Sequence, residues 1–482
     1  MRLSELAKDL YTKPLPPAFK DFDVRVISCD SREEQQDGLF VALSGTKLNG
    51  ADFIKDAAGK GAKVIVAGHG CCAMTEDVCV LEVNDPRHFL YIAGQRFYGH
   101  PSDKVKSIGI TGTNGKTTIT YLIESMIHAA GRRCGVIGTV NYRIGPKIIP
   151  SKNTTPGFLD NQRYLAQLAG LGIDYCVMEA SSHALHQGRL EGIHFSAGIF
   201  TNLTQDHLDY HKDMEDYFTA KALLFKDLLP EAVAVINVDD DYGKRLISMS
   251  KGRVMTYAVD TPADVRALDI THQLSGSRFE IIFPEGHLEI NTRFIGKHNV
   301  YNILAAFAWG LSQGMGPEII RRGLEGLTHV PGRLEGVDND RGIFIFIDYA
   351  HTEDGLLNVL SAIRAVTPAK IILVFGCGGD RDRTKRPKMA RAACRWADHA
   401  IVTSDNPRSE DPQMIIDEIV NGFTKKNYEV CVDRKEAISR ALQLAKRGEV
   451  VLIAGKGHED YQIFKDRTVP FDERKIVKQC LQ

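Results

Sequence analysis

The sequence lacks any run of about 18 apolar residues, so no segment of it is read as a transmembrane helix. Its opening, MRLSELAKDLYTKPLPP, lacks the apolar core of a secretory leader. It has no excess of either charge. Sixty Lys and Arg stand against 61 Asp and Glu, for a net charge of -1 and a pI near 7.0. That balance argues against nucleic acid as a partner and leaves a small charged substrate possible. The 10 cysteines include no C-x-x-C pair. The adjacent Cys71 and Cys72 are poorly placed to bridge each other, and free thiols in a reducing cytoplasm are expected. Internal repeats and low-complexity tracts are also missing. What is present is a 482-residue chain, 43% hydrophobic and 25% charged, which suits an enzyme of several globular domains.

Apolar segments alternate with helical periodicity, which predicts parallel α/β sheets. The first hundred residues hold short strands in VRVISCDSREEQQDGLFVALSG, GAKVIVAG and VCVLEVND. After YGHPSDK, the strand VKSIGI leads into a glycine loop and the helical segment KTTITYLIESMIHAAG, closed by Gly131. Strands follow in CGVIGTV, DYCVMEA, SAGIFTNL and AVAVINVD, then a hairpin in SRFEIIF and HLEINTRF, then a helix in GKHNVYNILAAFAWGLSQG. A third unit begins near HVPGRLE, with strands IFIFIDYA, KIILVFG, DHAIVTSDNPR and EVVLIAGKG. Open α/β sheets bind ligands beyond the carboxyl ends of their strands, which places Asp348, Asp380, Asp405 and Gly455 on one functional edge.

The loop GITGTNGKTT departs from the common phosphate loop, which has glycine five positions before its Gly-Lys pair. Here that position is Ile110, and the glycines stand at 109, 112 and 115. Backbone N–H groups of such a loop, with the next helix N-terminus, cradle anions. Two readings are open: a nucleotide site of altered spacing, or a glycine-rich strand-to-helix turn. The Lys-Thr-Thr ending and the strand–loop–helix context favour nucleotide phosphate, with Lys116 on the outer phosphates and Thr117 on Mg²⁺.

VMEASSHAL puts Glu179 at a strand end, ahead of Ser181, Ser182 and His183. FTNLTQDHLDYH ends the next strand with Asp206, His207, Asp209 and His211. A carboxylate and an imidazole on adjacent strand ends could hold a second divalent cation. Mg²⁺ prefers oxygen ligands, so spacing alone favours structural roles: a turn cap for His207 and an ion-pair partner for Glu179. In DMEDYFTAKALLFKDLL, Tyr217, Leu224, Phe225 and Leu228 form an apolar stripe, and Lys221 lies on it. An ammonium there needs a partner or loses its proton. A neutral amine can then take up carbon dioxide as an anionic carbamate. Snorkelling, with the stem packed and the charge in water, is the reading that sequence physics alone favours.

In this order, GTNGKTT, MEASSHALHQGR, FTNLTQDHLDYH, KHNVYN, PGRLE, DYAHT and SDNPRSEDP resemble the motifs of the Mur ligases of peptidoglycan synthesis, over nearly the whole chain. The resemblance implies that the altered glycine spacing marks an ATP-dependent ligase. It implies an α/β protein of three domains: a small N-terminal α/β UDP-binding domain at 1–102, a central P-loop ATPase-type parallel sheet at 103–330, and a Rossmann-like C-terminal amino-acid-binding domain at 331–482. ATP would sit at Gly112, Thr113, Asn114, Gly115, Lys116, Thr117 and Thr118. Asn299 matches an adenine contact, Arg333 a phosphate contact and Asp348 a ribose contact, and His351 completes DYAH. Two Mg²⁺ sites are implied, drawing on Thr117, Glu179, His207 and Lys221, the last as a carbamate. The implied catalytic set is Lys116, Glu179, His207 and Lys221. Ser31, in CDSR, matches a contact to the uridine nucleotide. Thr154, Thr155, Ser181, Gln187 and Arg189 match the UDP-muramoyl-dipeptide site, with Gly188 at a place read as tolerant. Glu353 stands where many relatives have Pro, which should alter the helix start and leave Asp348 and His351 in place.

Within the family, the resemblance is to members that add meso-diaminopimelate to UDP-N-acetylmuramoyl-L-alanyl-D-glutamate through an acyl phosphate. The far end of that amino acid carries an ammonium and a carboxylate. Arg suits the carboxylate through a bidentate fork. Arg381, Asp405, Asn406, Pro407, Arg408, Gly455 and Glu459 supply the matching mixture of groups. The lysine-adding relatives lack the Arg that stands here at 408, and a buried Arg left without its partner rejects lysine. DNPRSEDP also reads as a turn and helix cap, and the two roles are compatible. A cytoplasmic monomer is expected. The alternatives are ligation of L-lysine or another diamino acid, a folylpolyglutamate synthetase, and a nucleotide switch without ligation chemistry.

Overall fold

The computed structural model describes residues 1–11, 14–45, 49–70 and 77–482, so Cys71 and Cys72 lie outside the described residues. The chain forms two compact units: residues 1–113, 132–234 and 245–254 in one, and 114–131, 235–244 and 255–482 in the other. Among the described residues no helix is long and apolar enough to cross a membrane.

In the first unit, β1 Val26–Ser28, β2 Gly38–Val41, β3 Ala62–Ala67 and β4 Cys79–Glu82 pair in that order, all parallel. The helix Pro86–Phe97 buries Phe89, Leu90 and Ala93 in one core with Leu39, Val41, Val64 and Val66. Asp85 starts that helix by accepting from the N–H groups of Arg87 and His88, with Pro86 at the first position, where its missing N–H costs nothing.

The same unit carries β5 Lys106–Thr111, β6 Cys134–Ile137, β7 Asn141–Ile144, β8 Lys147–Pro150, β9 Tyr175–Glu179 and β10 Phe195–Phe200, in the order β10-β5-β9-β6-β7-β8. The first four are parallel and covered on both faces, so they read as continuous apolar runs. The β7–β8 hairpin, turning at Gly145, was not anticipated from the sequence.

β11 Val233–Asn237 and β12 Arg253–Ala258 run from the first unit into the second. There β13 Val265–Gln273, β14 Gly276–Phe283 and β15 Gly286–Thr292 form an antiparallel meander; β14 and β15 are the expected hairpin. The helix Lys297–Ser312 is buried nearly all round, with Trp309 at 0% exposure, as an apolar helix without a polar face must be.

The last sheet comprises β16 Glu335–Gly336, β17 Phe344–Asp348, β18 Ile371–Phe375, β19 His399–Val402, β20 Tyr428–Val430 and β21 Val450–Ala454, in the order β16-β17-β21-β18-β19-β20. All pairings but β16–β17 are parallel. Alternate residues face opposite helix layers. Ile371, Leu373 and Phe375 pack with Leu360, Met389 and Ile416, while Ile372 and Val374 pack with Ile438 and Leu442. This is the doubly wound arrangement, and it brings Asp348, Asp405 and Gly455 to the carboxyl ends of β17, β19 and β21. Glu353 takes the first position of the helix Glu353–Val366, and Thr352 caps it by accepting from Gly355 N–H at 3.1 Å. Pro also fits a first helical position.

Candidate active site

Each unit presents its own set of polar groups. In the first, the strand β5 runs into Gly112 at φ 145. A Cβ there would collide with Thr201 Oγ1 and stand 3.0 Å from Asn202 O, so the close approach of the loop to the β10 end requires glycine. Thr113 N–H donates to Asn202 O at 2.9 Å, and Thr113 Oγ1 lies 3.2 Å from Thr204 O and 3.3 Å from the Tyr217 hydroxyl. Lys221, on the helix Met214–Lys226, is only 1% exposed. Its Nζ donates to Gly112 O at 2.9 Å and lies 4.4 Å from the centre of the Tyr217 ring. The snorkelling reading is therefore wrong. The neighbours of the apolar stripe cover the helix on that side, and the charge cannot reach water.

Glu179, 1% exposed, ends β9. Its carboxylate accepts Thr139 N–H and Thr139 Oγ1–H, both at 2.9 Å, and Thr139 Oγ1 lies 3.1 Å from Thr154 Oγ1. Thr155 Oγ1–H donates to Glu179 O at 2.6 Å and accepts from Ser181 N–H at 3.1 Å. Ser181 in turn caps the helix Ser182–His186. Arg189 donates from Nε to Gln187 Oε1 at 2.9 Å and from Nη1 to Thr155 O at 3.0 Å. Thr154, Thr155, Glu179, Ser181, Gln187 and Arg189 thus form one connected network. Gly188 is not at a tolerant place. Its φ is 68, and a Cβ would strike the Tyr91 hydroxyl.

His207 adopts φ 55 and lies beside Asp206, with Nε2 at 3.7 Å from Oδ2. Its carbonyl accepts from the N–H groups of Tyr210 and His211, so it opens a turn. The His183 ring packs 5.0 Å from His207 and 4.1 Å from Tyr210. Burial first, then the neighbouring His207 and His211, pulls His183 down to about 4, so it is neutral at pH 7. Sequence reasoning gave no role to His211, which is 1% exposed and bridges Ser182 Oγ at 3.0 Å and Asp216 Oδ2 at 3.1 Å. Its only advance signal was the histidine repeat in DHLDYH. Ser31 is half-buried just past β1, in a turn where Asp30 accepts from Arg32 N–H at 2.9 Å.

In the second unit, Gly115 at φ 91 precedes the helix Lys116–Ala129, and Thr117 and Thr118 are 4% and 5% exposed on its first turn. Arg333 Nη2 donates to Thr117 Oγ1 at 3.2 Å, joining two expected phosphate contacts 216 residues apart. Asp348, 6% exposed, accepts Leu334 N–H at 2.6 Å and Ala350 N–H at 2.8 Å. Burial pushes its carboxyl up, against the pull of Arg333. His351 Nδ1 lies 2.9 Å from Tyr349 O. Asn299 is 5% exposed; its amide donates to Ile295 O at 2.9 Å and accepts from Asn302 at 3.0 Å.

Asp405 Oδ1 accepts Asn406 N–H at 2.7 Å, and Asn406 Nδ2 donates to Glu459 Oε2 at 2.8 Å. Burial raises the Asp405 carboxyl, but Lys456 and Arg434 outweigh it and hold the group below the usual range. Pro407 is buried, and Arg408 follows at φ 53 with Nη1 donating to Gly379 O at 2.8 Å. Gly455 lies over Asp405; a Cβ there would be 2.7 Å from Oδ2. Arg381 is exposed and donates only weakly, to Asp380 O at 3.3 Å. Downstream, Asp411 caps the helix Pro412–Val420, so DNPRSEDP is also the turn and cap it looked like.

Residues 23–98 match the Mur ligase family catalytic domain, 110–310 the Mur ligase middle domain and 332–457 the Mur ligase glutamate ligase domain. The UDP-N-acetylmuramoyl-L-alanyl-D-glutamate–2,6-diaminopimelate ligase of Clostridium tetani is 43% identical over 486 residues, covering 100% of this chain and 99% of its own length. The enzyme of that name from Geobacter metallireducens is 44% identical over 500 residues, covering 99% and 98%. A solved structure of a ligase of that name superposes with a TM-score of 0.73 at 31% identity, covering 100% of this chain and 98% of the other. With family domains matched at 23–98, 110–310 and 332–457 and a relative 43% identical over the whole chain, the chain belongs to the Mur ligase family.

Proposed function

We propose that this chain is an ATP-dependent ligase that joins meso-diaminopimelate to UDP-N-acetylmuramoyl-L-alanyl-D-glutamate. The observation that carries the choice of amino acid is the set Asp405, Asn406, Arg408 and Glu459, gathered past β19 and β21. It offers cationic and N–H donors to a carboxylate and carboxylate oxygens to an ammonium, as a zwitterionic end requires. In this reading the N-terminal segment 1–102 takes the uridine nucleotide at Ser31, the central segment 103–330 takes ATP, and 331–482 takes the amino acid. The ATP phosphates sit on Gly112 to Thr118, with Asn299 at adenine, Arg333 at phosphate, Asp348 at ribose and His351 beside them. Thr154, Thr155, Ser181, Gln187 and Arg189 hold the muramoyl dipeptide, and their shared network supports one common ligand.

Phosphoryl transfer from ATP to the D-glutamyl carboxylate gives an acyl phosphate, and the amine of diaminopimelate attacks its carbonyl. The tetrahedral adduct expels phosphate and leaves an amide. The protein's work is positioning and charge neutralisation. Among the described residues no three His, Cys, Asp or Glu side chains form a metal cage. Mg²⁺ keeps waters and substrate phosphates and takes few protein ligands. Thr117, Glu179, His207 and Lys221 are the residues that would hold two such ions, Lys221 as a carbamate. Bound there, the ions would neutralise the carboxylate and phosphate that repel each other. The chain acts as a cytoplasmic monomer in this reading.

The test is a product mass measurement after incubating the chain with UDP-muramoyl-dipeptide, ATP, Mg²⁺, bicarbonate and a mixture of diamino acids. A single new species carrying diaminopimelate is expected. A lysine adduct in its place, or ATP hydrolysis with no new amide, would overturn the proposal.

A further inference from the structure

Lys456 is a cation that the chemistry above leaves unused. It follows Gly455 at the carboxyl end of β21, and its side chain is 0% exposed. A buried ammonium with three donors needs acceptors. Two are Asn406 Oδ1 and Tyr461 O, each at 2.8 Å, and Glu459 Oε2 stands at 3.6 Å. Asn406 Oδ1 also accepts Ile463 N–H at 3.0 Å. An amide oxygen has two lone pairs, and here both are taken.

The Asn406 amide is therefore held one way round. Flipped, it would press its NH₂ against the Lys456 ammonium and the Ile463 N–H, setting donors against donors in a site that is 3% exposed. In the held orientation Nδ2 donates to Glu459 Oε2 at 2.8 Å and keeps a second N–H. Next to it, Asp405 Oδ2 is buried without a hydrogen-bond partner among the described residues. On the other side of Asp405, Arg434 stands 4.0 Å from Oδ2 and donates to Glu473 Oε1 at 2.7 Å and to Ala454 O at 2.8 Å. The result is a rigid underside to the recognition loop.

We propose, resting on the function proposed above, that Lys456 is a positioning residue for amino-acid recognition. By filling Asn406 Oδ1 it keeps the amide's N–H side turned to the zwitterionic end of the incoming amino acid. A flipped amide would offer a carbonyl oxygen there and repel the distal carboxylate.

The test is Lys456→Met in the full chain, with initial rates measured for meso-diaminopimelate, L-lysine, ATP and UDP-muramoyl-dipeptide in turn. The diaminopimelate KM is expected to rise roughly 10–100-fold, with the KM values for ATP and UDP-muramoyl-dipeptide changed by less than about twofold. The preference for diaminopimelate over lysine falls by a similar factor. In an Asn406→Ala background the same substitution adds less than about twofold, because the two residues act as one unit. Should the apolar variant fail to fold, Lys456→Gln, whose amide stops one bond short of Asn406, carries the same expectations. An unchanged diaminopimelate KM, an equal rise in all three KM values, or full additivity with Asn406→Ala overturns the proposal. A wild-type chain that forms no product removes the underlying function as well; a productive wild type with an unaltered variant removes this proposal alone.

Discussion

Arg408 sits in a backbone conformation that favours glycine and disfavours long side chains, with φ 53. Left-handed geometry costs an L-residue about 1–2 kcal/mol. The cost is borne at the position assigned to hold the distal carboxylate, as strain at functional sites commonly is. Two substitutions separate the contributions. Arg408→Ala and Arg408→Gly lose the same Nη1 bond to Gly379 O and the same contact to substrate. They differ in that glycine relieves the strain while gaining about 0.4–1 kcal/mol of freedom in the unfolded chain. The glycine variant should therefore be the more stable of the two by about 0.5–1 kcal/mol, or about 1–4 °C in Tm for a unit of this size. Both should raise the diaminopimelate KM alike, roughly 10–150-fold for a lost charged hydrogen-bond pair of about 1.5–3 kcal/mol. Calorimetry and phosphate-release kinetics at saturating ATP and UDP-muramoyl-dipeptide measure the two effects. An alanine variant at least as stable as the glycine variant removes the strain argument. Wild-type KM values in both remove Arg408 from recognition.

Lys221→Ala should lose most ligase activity, and added formate or acetate should restore part of it by standing in for a carbamate; full activity without any additive would exclude that modification from the chemistry. Gly188→Ala should raise the KM for the UDP-dipeptide about tenfold or more, because the Tyr91 hydroxyl and the positive φ force the Gln187–Arg189 segment to move; an unchanged KM would show that the segment yields freely. Glu410 is held down to about 2, chiefly by its hydrogen bonds to the buried Arg386. A depressed folded pKa contributes stability that is present above the unfolded value near 4.5 and is lost as pH falls toward 2. The Tm gap between wild type and Glu410→Gln should therefore be full at pH 6 and shrink through pH 4 to 2.5; a constant gap would refute the linkage.

Strand ends were legible because a buried parallel strand is an apolar run that stops at its first polar or glycine residue. Glu179, Asp348 and Gly455 stand where that rule puts them, and Asp405 follows Thr403 and Ser404 just past β19. The partners of those groups were not legible. Thr139 meets Glu179 from 40 residues away, and Arg333 meets Thr117 from 216 residues away. Periodicity showed that Lys221 lies on an apolar stripe, but it could not show whether the neighbouring layer closes over the amine. The glycine at 188 was misjudged for a related reason. The sign of φ and the presence of Tyr91 are both properties of the folded chain.

The groups proposed to recognise the amino acid, past β18, β19 and β21, are rooted in strands whose residues are buried almost without exception, yet they themselves hang on short loops bonded mainly to one another. On that proposal, scaffold and selectivity are mechanically separate. Transplanting the segments 376–382, 405–410 and 455–463 together should be enough to retarget the enzyme to a different nucleophile, whereas exchanging any one of them alone would strand the hydrogen-bonding groups of the other two.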